Sequence, residues 1–162
     1  RIAAIEHRTA IADLVHRYAE AVRDGSPEGC LALLADDAFI ELRRAHPHVP
    51  GESEFMSRFK GRDQILASFG DTAGHSAHIW PMIHNLRIEL DGNGARSNCV
   101  MMSAIWPHGK EYVGEYNDTF RIVEGEWKFT SRTYSVFGDT DGRYSKDSHA
   151  DYVAAKGAIG DA

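Results

Sequence analysis

The sequence predicts an α+β domain in which three N-terminal helices pack on one face of a mainly antiparallel β-sheet. Three observations carry this prediction. Ile11, Leu14, Val15, Tyr18 and Val22 recur at the spacing of one helical face. Leu86, Ile88 and Leu90 alternate with Asn85, Arg87 and Glu89, the period of a half-buried strand. Asp91-Gly92-Asn93-Gly94, Pro107-His108-Gly109-Lys110 and Glu124-Gly125-Glu126 supply turn residues at hairpin spacing. Helices first and hairpin-linked strands afterwards give segregated layers.

The elements follow in order. The first helix is expected from about Thr9, as N-cap, to about Arg23, with Gly25 just past its end. Ser26, Pro27 and Glu28 read as N-cap, N1 and N2 of a short second helix carrying Cys30, Leu33 and Leu34. Ala35-Asp36-Asp37-Ala38 reads as a turn and Phe39 to Leu42 as the first strand. Residues 43–60 hold Pro47, Pro50 and Gly51 and read as a long loop. Gly61-Arg62-Asp63 opens a third helix through Ile65, Leu66 and Phe69, and an irregular stretch from Asp71 to Pro81 leads into the sheet. Four strands then run as a meander, the last ending near Val136. This organisation assigns residues 1–136 to one domain and residues 137–162 to a polar tail, read as a lid or oligomer arm.

Length and composition set bounds on function. The 162 residues suffice for one domain with a sizeable core. A 43% hydrophobic and 26% charged composition is that of an ordinary globular chain. A net charge of −6 with dispersed Lys and Arg argues against a nucleic-acid partner. The apolar runs are too short for a membrane span, the longest being about Cys99–Trp106. Arg1 to Glu6 lack a signal-peptide pattern. Cys30 and Cys99 lie in apolar segments without metal-ligand spacing and read as reduced core thiols, which fits a cytoplasmic location. The sequence contains no phosphate-cradling Gly loop, so no organic cofactor is implied.

The pieces of this chain are similar to those of the nuclear transport factor 2-like superfamily, and most of all to its SnoaL-like branch. The residues carrying the resemblance are Arg17-Tyr18, Leu33-Leu34-Ala35-Asp36-Asp37-Ala38 and Gly61-Arg62-Asp63, followed by Asn85-Leu86-Arg87-Ile88. Tyr116-Asn117-Asp118-Thr119-Phe120 and Gly125-Glu126-Trp127-Lys128-Phe129 complete it. The resemblance covers nearly the whole chain to about residue 136 and implies that the sheet is curved and closes with the helices into a cone. It implies a small hydrophobic ligand or substrate and a homo-oligomer, with a dimer favoured and a trimer as the alternative. The superfamily includes isomerases, dehydratases, binding proteins and non-catalytic subunits, so fold alone does not choose among them.

Three constellations carry the chemistry. Tyr18 and Asp118 match the tyrosine and protonated aspartate of the ketosteroid isomerases by motif, a pair that forms an oxyanion hole in those enzymes. Asp118 shares strand parity with Tyr116, Phe120 and Ile122, so it is expected on an apolar face, where burial keeps a carboxyl neutral. The ketosteroid base itself has no counterpart: its position is Leu42, with Glu41 one residue away and expected on the opposite face. Asp24 with His78 or His84 resembles the aspartate–histidine dyad of related dehydratases, in which the carboxylate orients a proton-abstracting imidazole. His84 shares parity with Leu86 and is expected to point inward, whereas His78 lies in the connection entering the sheet. His46, His48 and His75 to His78 have spacings open to a metal, yet read as solvated loop histidines. Trp80, Trp106 and Trp127 are candidates to wall a cavity. Together these imply a cofactor-independent lyase or isomerase acting on a small carbonyl- or hydroxyl-bearing compound. A non-catalytic binding domain and a β-type subunit of a ring-hydroxylating dioxygenase are the alternatives.

Overall fold

In a computed structural model of the chain, described over residues 2–45, 53–73, 78–106 and 110–139, three helices cover one face of a curved, open six-stranded sheet. Helix α1 spans Ile2–Arg23, α2 Pro27–Ala32 and α3 Gly61–Ala73. The strands are β1 Leu34–Ala45, β2 Ser53–Lys60, β3 His78–Asp91, β4 Gly94–Trp106, β5 Lys110–Val123 and β6 Glu126–Asp139. Their spatial order is β2-β1-β6-β5-β4-β3. All neighbours are antiparallel except β1 and β6, whose parallel pairing closes the N-terminal hairpin onto the C-terminal meander.

The predicted stripe of α1 is the inner face: Ile11, Leu14, Val15 and Tyr18 are buried against β3 and β6. The helix begins earlier than expected. Thr9 is inside it, its hydroxyl donating to the carbonyl of Ile5 at 2.9 Å instead of capping. Gly25 ends the helix region at φ +63°, a conformation glycine adopts without steric cost. Ser26 caps α2 as predicted, accepting from the Gly29 N–H at 3.1 Å, with Pro27 at the first helical position.

Two expectations for the N-terminal half are corrected. Ala35-Asp36-Asp37-Ala38 is not a turn but part of β1, with both carboxylates exposed where pairing with β6 shifts between Leu34 and Phe39. Asp37 is held there by Arg121 of β5 at 2.6 Å. The stretch read as one loop contains the end of β1 and all of β2, which pair from Phe39↔Lys60 to Ala45↔Ser53. Alternating burial is weak on β2 because it is an edge strand, so its sequence lacks the two-faced pattern. Strand β3 likewise starts at His78, before Pro81, and forms the other edge, where a missing N–H is tolerated.

The hairpin turns fall where the turn residues are. Glu124 and Gly125 both have positive φ and close the β5–β6 hairpin at Val123↔Glu126. Pro107 to Gly109, the histidine-rich stretches at His46, His48 and His75, and residues 140–162 of the tail lie outside the described residues. The main core gathers Ile11, Val15, Leu31, Ala38, Ile65 and Phe129 between helices and sheet, and a second cluster centres on Cys99, Met101 and Tyr116.

Candidate functional site

At the centre of the largely apolar inner face of the sheet, Asp118 and Arg132 meet. Both are 2% exposed. Nε and Nη2 of Arg132 donate to Oδ1 and Oδ2 of Asp118, each at 2.9 Å, the two-pronged geometry that matches a guanidinium to a carboxylate. The Ser97 hydroxyl adds a long contact to Oδ2 at 3.5 Å. Three rings pack on the guanidinium: its central carbon lies 3.8 Å from the Tyr116 ring centroid, 4.3 Å from that of Tyr18 and 4.6 Å from that of Phe129. Such desolvated cation–π contacts are worth about 2 kcal/mol each at the upper end. Asp118 takes one edge of the guanidinium and the rings pack around it. Nη1 remains, and among the described residues it is the one buried side-chain nitrogen or oxygen without a hydrogen-bond partner.

A β-bulge creates this arrangement. With Val123 opposite Glu126, regular pairing would continue through Phe120↔Phe129 to set Asp118 opposite Ser131. The extra residue Thr130 moves the register by one, so that Arg132 faces Asp118 and Ser131 turns outward to hydrogen-bond the Thr119 hydroxyl at 2.6 Å. Sequence reasoning missed Arg132 for this reason. The available signal was an arginine at the parity of Tyr134, level with the Asp118 strand position to within one residue.

Burial dominates the electrostatics. It works against the charge of Arg132, but Asp118 beside it more than offsets this and holds the guanidinium charged well above the ordinary arginine range. Burial pushes Tyr116 up to about 12 and Tyr18 higher still, so both remain neutral phenols at physiological pH. Cys30 and Cys99, close enough to feel Arg132, are pushed up to about 11 by burial. The site is a neutral ion pair ringed by neutral donors.

The predicted residues are distributed unevenly around it. Tyr18 and Asp118 do converge, with Arg132 between them. The neutral, donating carboxyl expected for Asp118 is replaced by an acceptor held at both oxygens by a cation. Leu42 pairs with Tyr134 on the inner face, while Glu41, paired with Thr133, is on the outer face as expected. There it is locked between Arg43, at 2.6 Å, and Arg58. Asp24 is exposed beyond the end of α1 and accepts from its neighbour Arg23 at 3.0 Å. His84 is exposed, not inward. The reason is a second bulge: Asn85, at φ +53°, and Leu86 together face one residue of β4, which reverses parity between His84 and Arg87. Asp24 and His84 are therefore not presented as a dyad to the interior. His78 opens β3 opposite Trp106, and its side chain lies outside the described residues. Of the tryptophans, Trp80 is exposed and Trp127 donates to Nδ1 of His7 on α1 at 3.2 Å, so neither walls the interior site. Among the described residues no three His, Cys, Asp or Glu side chains form a metal-binding group. No helix among them is long and apolar enough to cross a membrane.

The outer face of the sheet bears a polar groove of about 500 Å³, with Arg87, Arg96, Asn98, Asn117 and Thr133 among its walls, and Asp118 and Ser97 of the central site also line it. Arg96 is committed to Glu89 at 2.7 Å and Asn98 to Asn117 at 2.9 Å.

Helices packed against a curved sheet whose inner centre holds polar groups define the class of small α+β domains with a cystatin-like fold. The family model for the SnoaL-like domain matches residues 3–133, and the chain belongs to that family. Solved structures agree on the fold. An NTF2-like protein with a cystatin-like fold from Novosphingobium aromaticivorans is 20% identical, with 93% of this chain and 91% of that one covered at a TM-score of 0.66. A protein of the same organism proposed to be a scytalone dehydratase is 22% identical, over 85% of this chain and 89% of that one, at 0.67. The β subunit of a proposed aromatic-ring-hydroxylating dioxygenase from that organism is 17% identical, over 85% and 93%, at 0.70. Among curated proteins no match is found.

Proposed function

We propose that this chain takes a small hydrophobic compound bearing a carbonyl or hydroxyl oxygen into the cone and acts on it as a lyase or isomerase without an organic cofactor. The observation that carries the proposal is the buried Arg132–Asp118 pair at the centre of a largely apolar interior. A buried ion pair contributes little net stability compared with apolar residues of the same volume. Its placement beside Tyr18 and Tyr116 supports a role in holding an oxygen on which negative charge develops.

In this reading Tyr18, Tyr116 and Arg132 supply donors to that oxygen, and Asp118 fixes the guanidinium. A base is still needed, and His78 is proposed for it, since Asp24 and His84 are exposed. In an elimination, the C–H bond next to the carbonyl breaks and its proton passes to the imidazole. The carbon–carbon double bond then forms as the β-hydroxyl leaves, taking that proton back from the imidazolium to depart as water. In an isomerisation, the same proton returns to another carbon.

The likeness to a proposed scytalone dehydratase fits this reading. The equal likeness to a dioxygenase β subunit makes the scaffold role the rival. Incubation of the purified chain with β-hydroxy ketones and β,γ-unsaturated ketones, followed by NMR and mass spectrometry, separates the two. Loss of water or double-bond migration that His78→Ala abolishes supports the enzyme. No turnover, together with co-purification of a larger iron-containing chain, supports the scaffold. Self-association through the outer sheet face, where Trp80 and Met82 stand exposed on β3, is part of the proposal, with a dimer as the expected state by light scattering.

A further inference from the structure

We propose that the free Nη1 edge of Arg132 is the seat for a neutral carbonyl oxygen of a small cyclic or aryl ketone, and that it selects ketones over carboxylates. This deepens the function proposed above and rests on it. The other sides of the guanidinium are occupied. Asp118 occupies the Nε–Nη2 edge at 2.9 Å for both bonds, and the rings of Tyr18, Tyr116 and Phe129 pack on the guanidinium. A partner for Nη1 must therefore come in the guanidinium plane, along the N–H directions. An oxygen carried at the rim of a flat ring system meets that requirement, while its ring lies among aromatic neighbours.

Charge decides which oxygen. Arg132 is already neutralised by Asp118, and the pair is almost wholly withdrawn from water. A carboxylate at Nη1 would leave one uncompensated negative charge in the interior, with Asp118 itself nearby as a repelling group. Tyr18 and Tyr116 stay neutral and Cys30 and Cys99 stay protonated, so no further cation balances it. A ketone oxygen accepts from Nη1 without adding charge. A hydrocarbon of the same shape leaves the buried donor unmatched, which costs about a factor of ten or more in affinity.

The test uses the full wild-type chain, labelled with ¹⁵N, so that no core variant has to fold. Its Arg132 side-chain N–H signals are assigned from their contacts to the Tyr18 and Tyr116 rings. Acetophenone, indanone and α-tetralone are titrated alongside ethylbenzene, indane and tetralin, and alongside benzoate and α-naphthoate. The expected result is that the best ketone shifts the Arg132 Nη signals and binds about tenfold or more tightly than its hydrocarbon. Equal binding of ketone and hydrocarbon, or interior binding that leaves the Arg132 signals unmoved, overturns this proposal while the interior-binding function stands. Tighter binding of the carboxylates overturns the ketone preference. If no compound reaches the interior signals, and a persistent water contact occupies Nη1, this proposal and the function reading both fall.

Discussion

Replacing Asp118 by leucine strands the Arg132 guanidinium at 2% exposure with no counter-charge. Removing one partner of a buried ion pair costs about 3–5 kcal/mol, because the surviving charge stays desolvated and unpaired. For a chain of this size each kcal/mol moves Tm by about 2–4 °C, so a fall of about 6–20 °C is expected. Arg132→Met strands the carboxylate in the same way and is expected to cost a similar amount. The Asp118→Leu/Arg132→Met double variant removes both charges and leaves the aromatic box intact. It should lose far less than the sum of the two single changes, a coupling of about 2 kcal/mol or more. Urea unfolding of the four proteins at pH 7 provides the cycle. A single-variant loss below about 0.5 kcal/mol, the range of ordinary surface substitutions, would refute the claim that this pair is dry and mutually dependent. Additivity of the two losses would refute it as well.

Three further outcomes follow from the same structure. Cys30 and Cys99, buried and with their thiols pushed up to about 11, should not react with a disulfide reagent at pH 8 until denaturant is added, when both titrate; rapid native labelling of either would contradict the packing. Arg43 and Arg58 hold Glu41 below the usual carboxylate range, so its contribution to stability is present above about pH 4.3, the unfolded value, and is lost as pH falls through the lower folded value. Glu41→Gln should therefore be less stable at neutral pH and show a flatter acid limb below about pH 4.3, and an unchanged limb would remove Glu41 from the account. Gly114→Ala places a Cβ against the Ser135 carbonyl and the Tyr134 ring across the β5–β6 pair, and should destabilise by about 1–3 kcal/mol; a neutral effect would mean that the strands separate locally at little cost.

How much was legible in the sequence depended on whether periodicity survived the bulges. The α1 stripe, the Ser26-Pro27 helix start and the Glu124-Gly125 turn are local signals, and each appears where the residues place it. Strand β2 escaped because an edge strand with one covered face at most needs no clean alternation. The inward position of Asp118 follows from counting along β5, which runs in phase from Tyr116 to Phe120 on this face. Counting fails on β6 and on β3. One extra residue at Thr130 brings Arg132 to Asp118, and one at Asn85–Leu86 turns His84 outward. Asparagine tolerates positive φ, so Asn85 was a readable sign of irregularity, whereas Thr130 carries no such mark. The partner of the central carboxylate became visible only when register was known.

The measurement that bears most directly on the central claim is a crystal structure of the wild-type chain grown with α-tetralone. The account predicts the compound inside the cone, with its carbonyl oxygen about 2.7–3.2 Å from Nη1 of Arg132 and Asp118 still gripping the opposite edge. A structure in which the ketone sits only in the outer groove, with Nη1 bound to water alone, would contradict it.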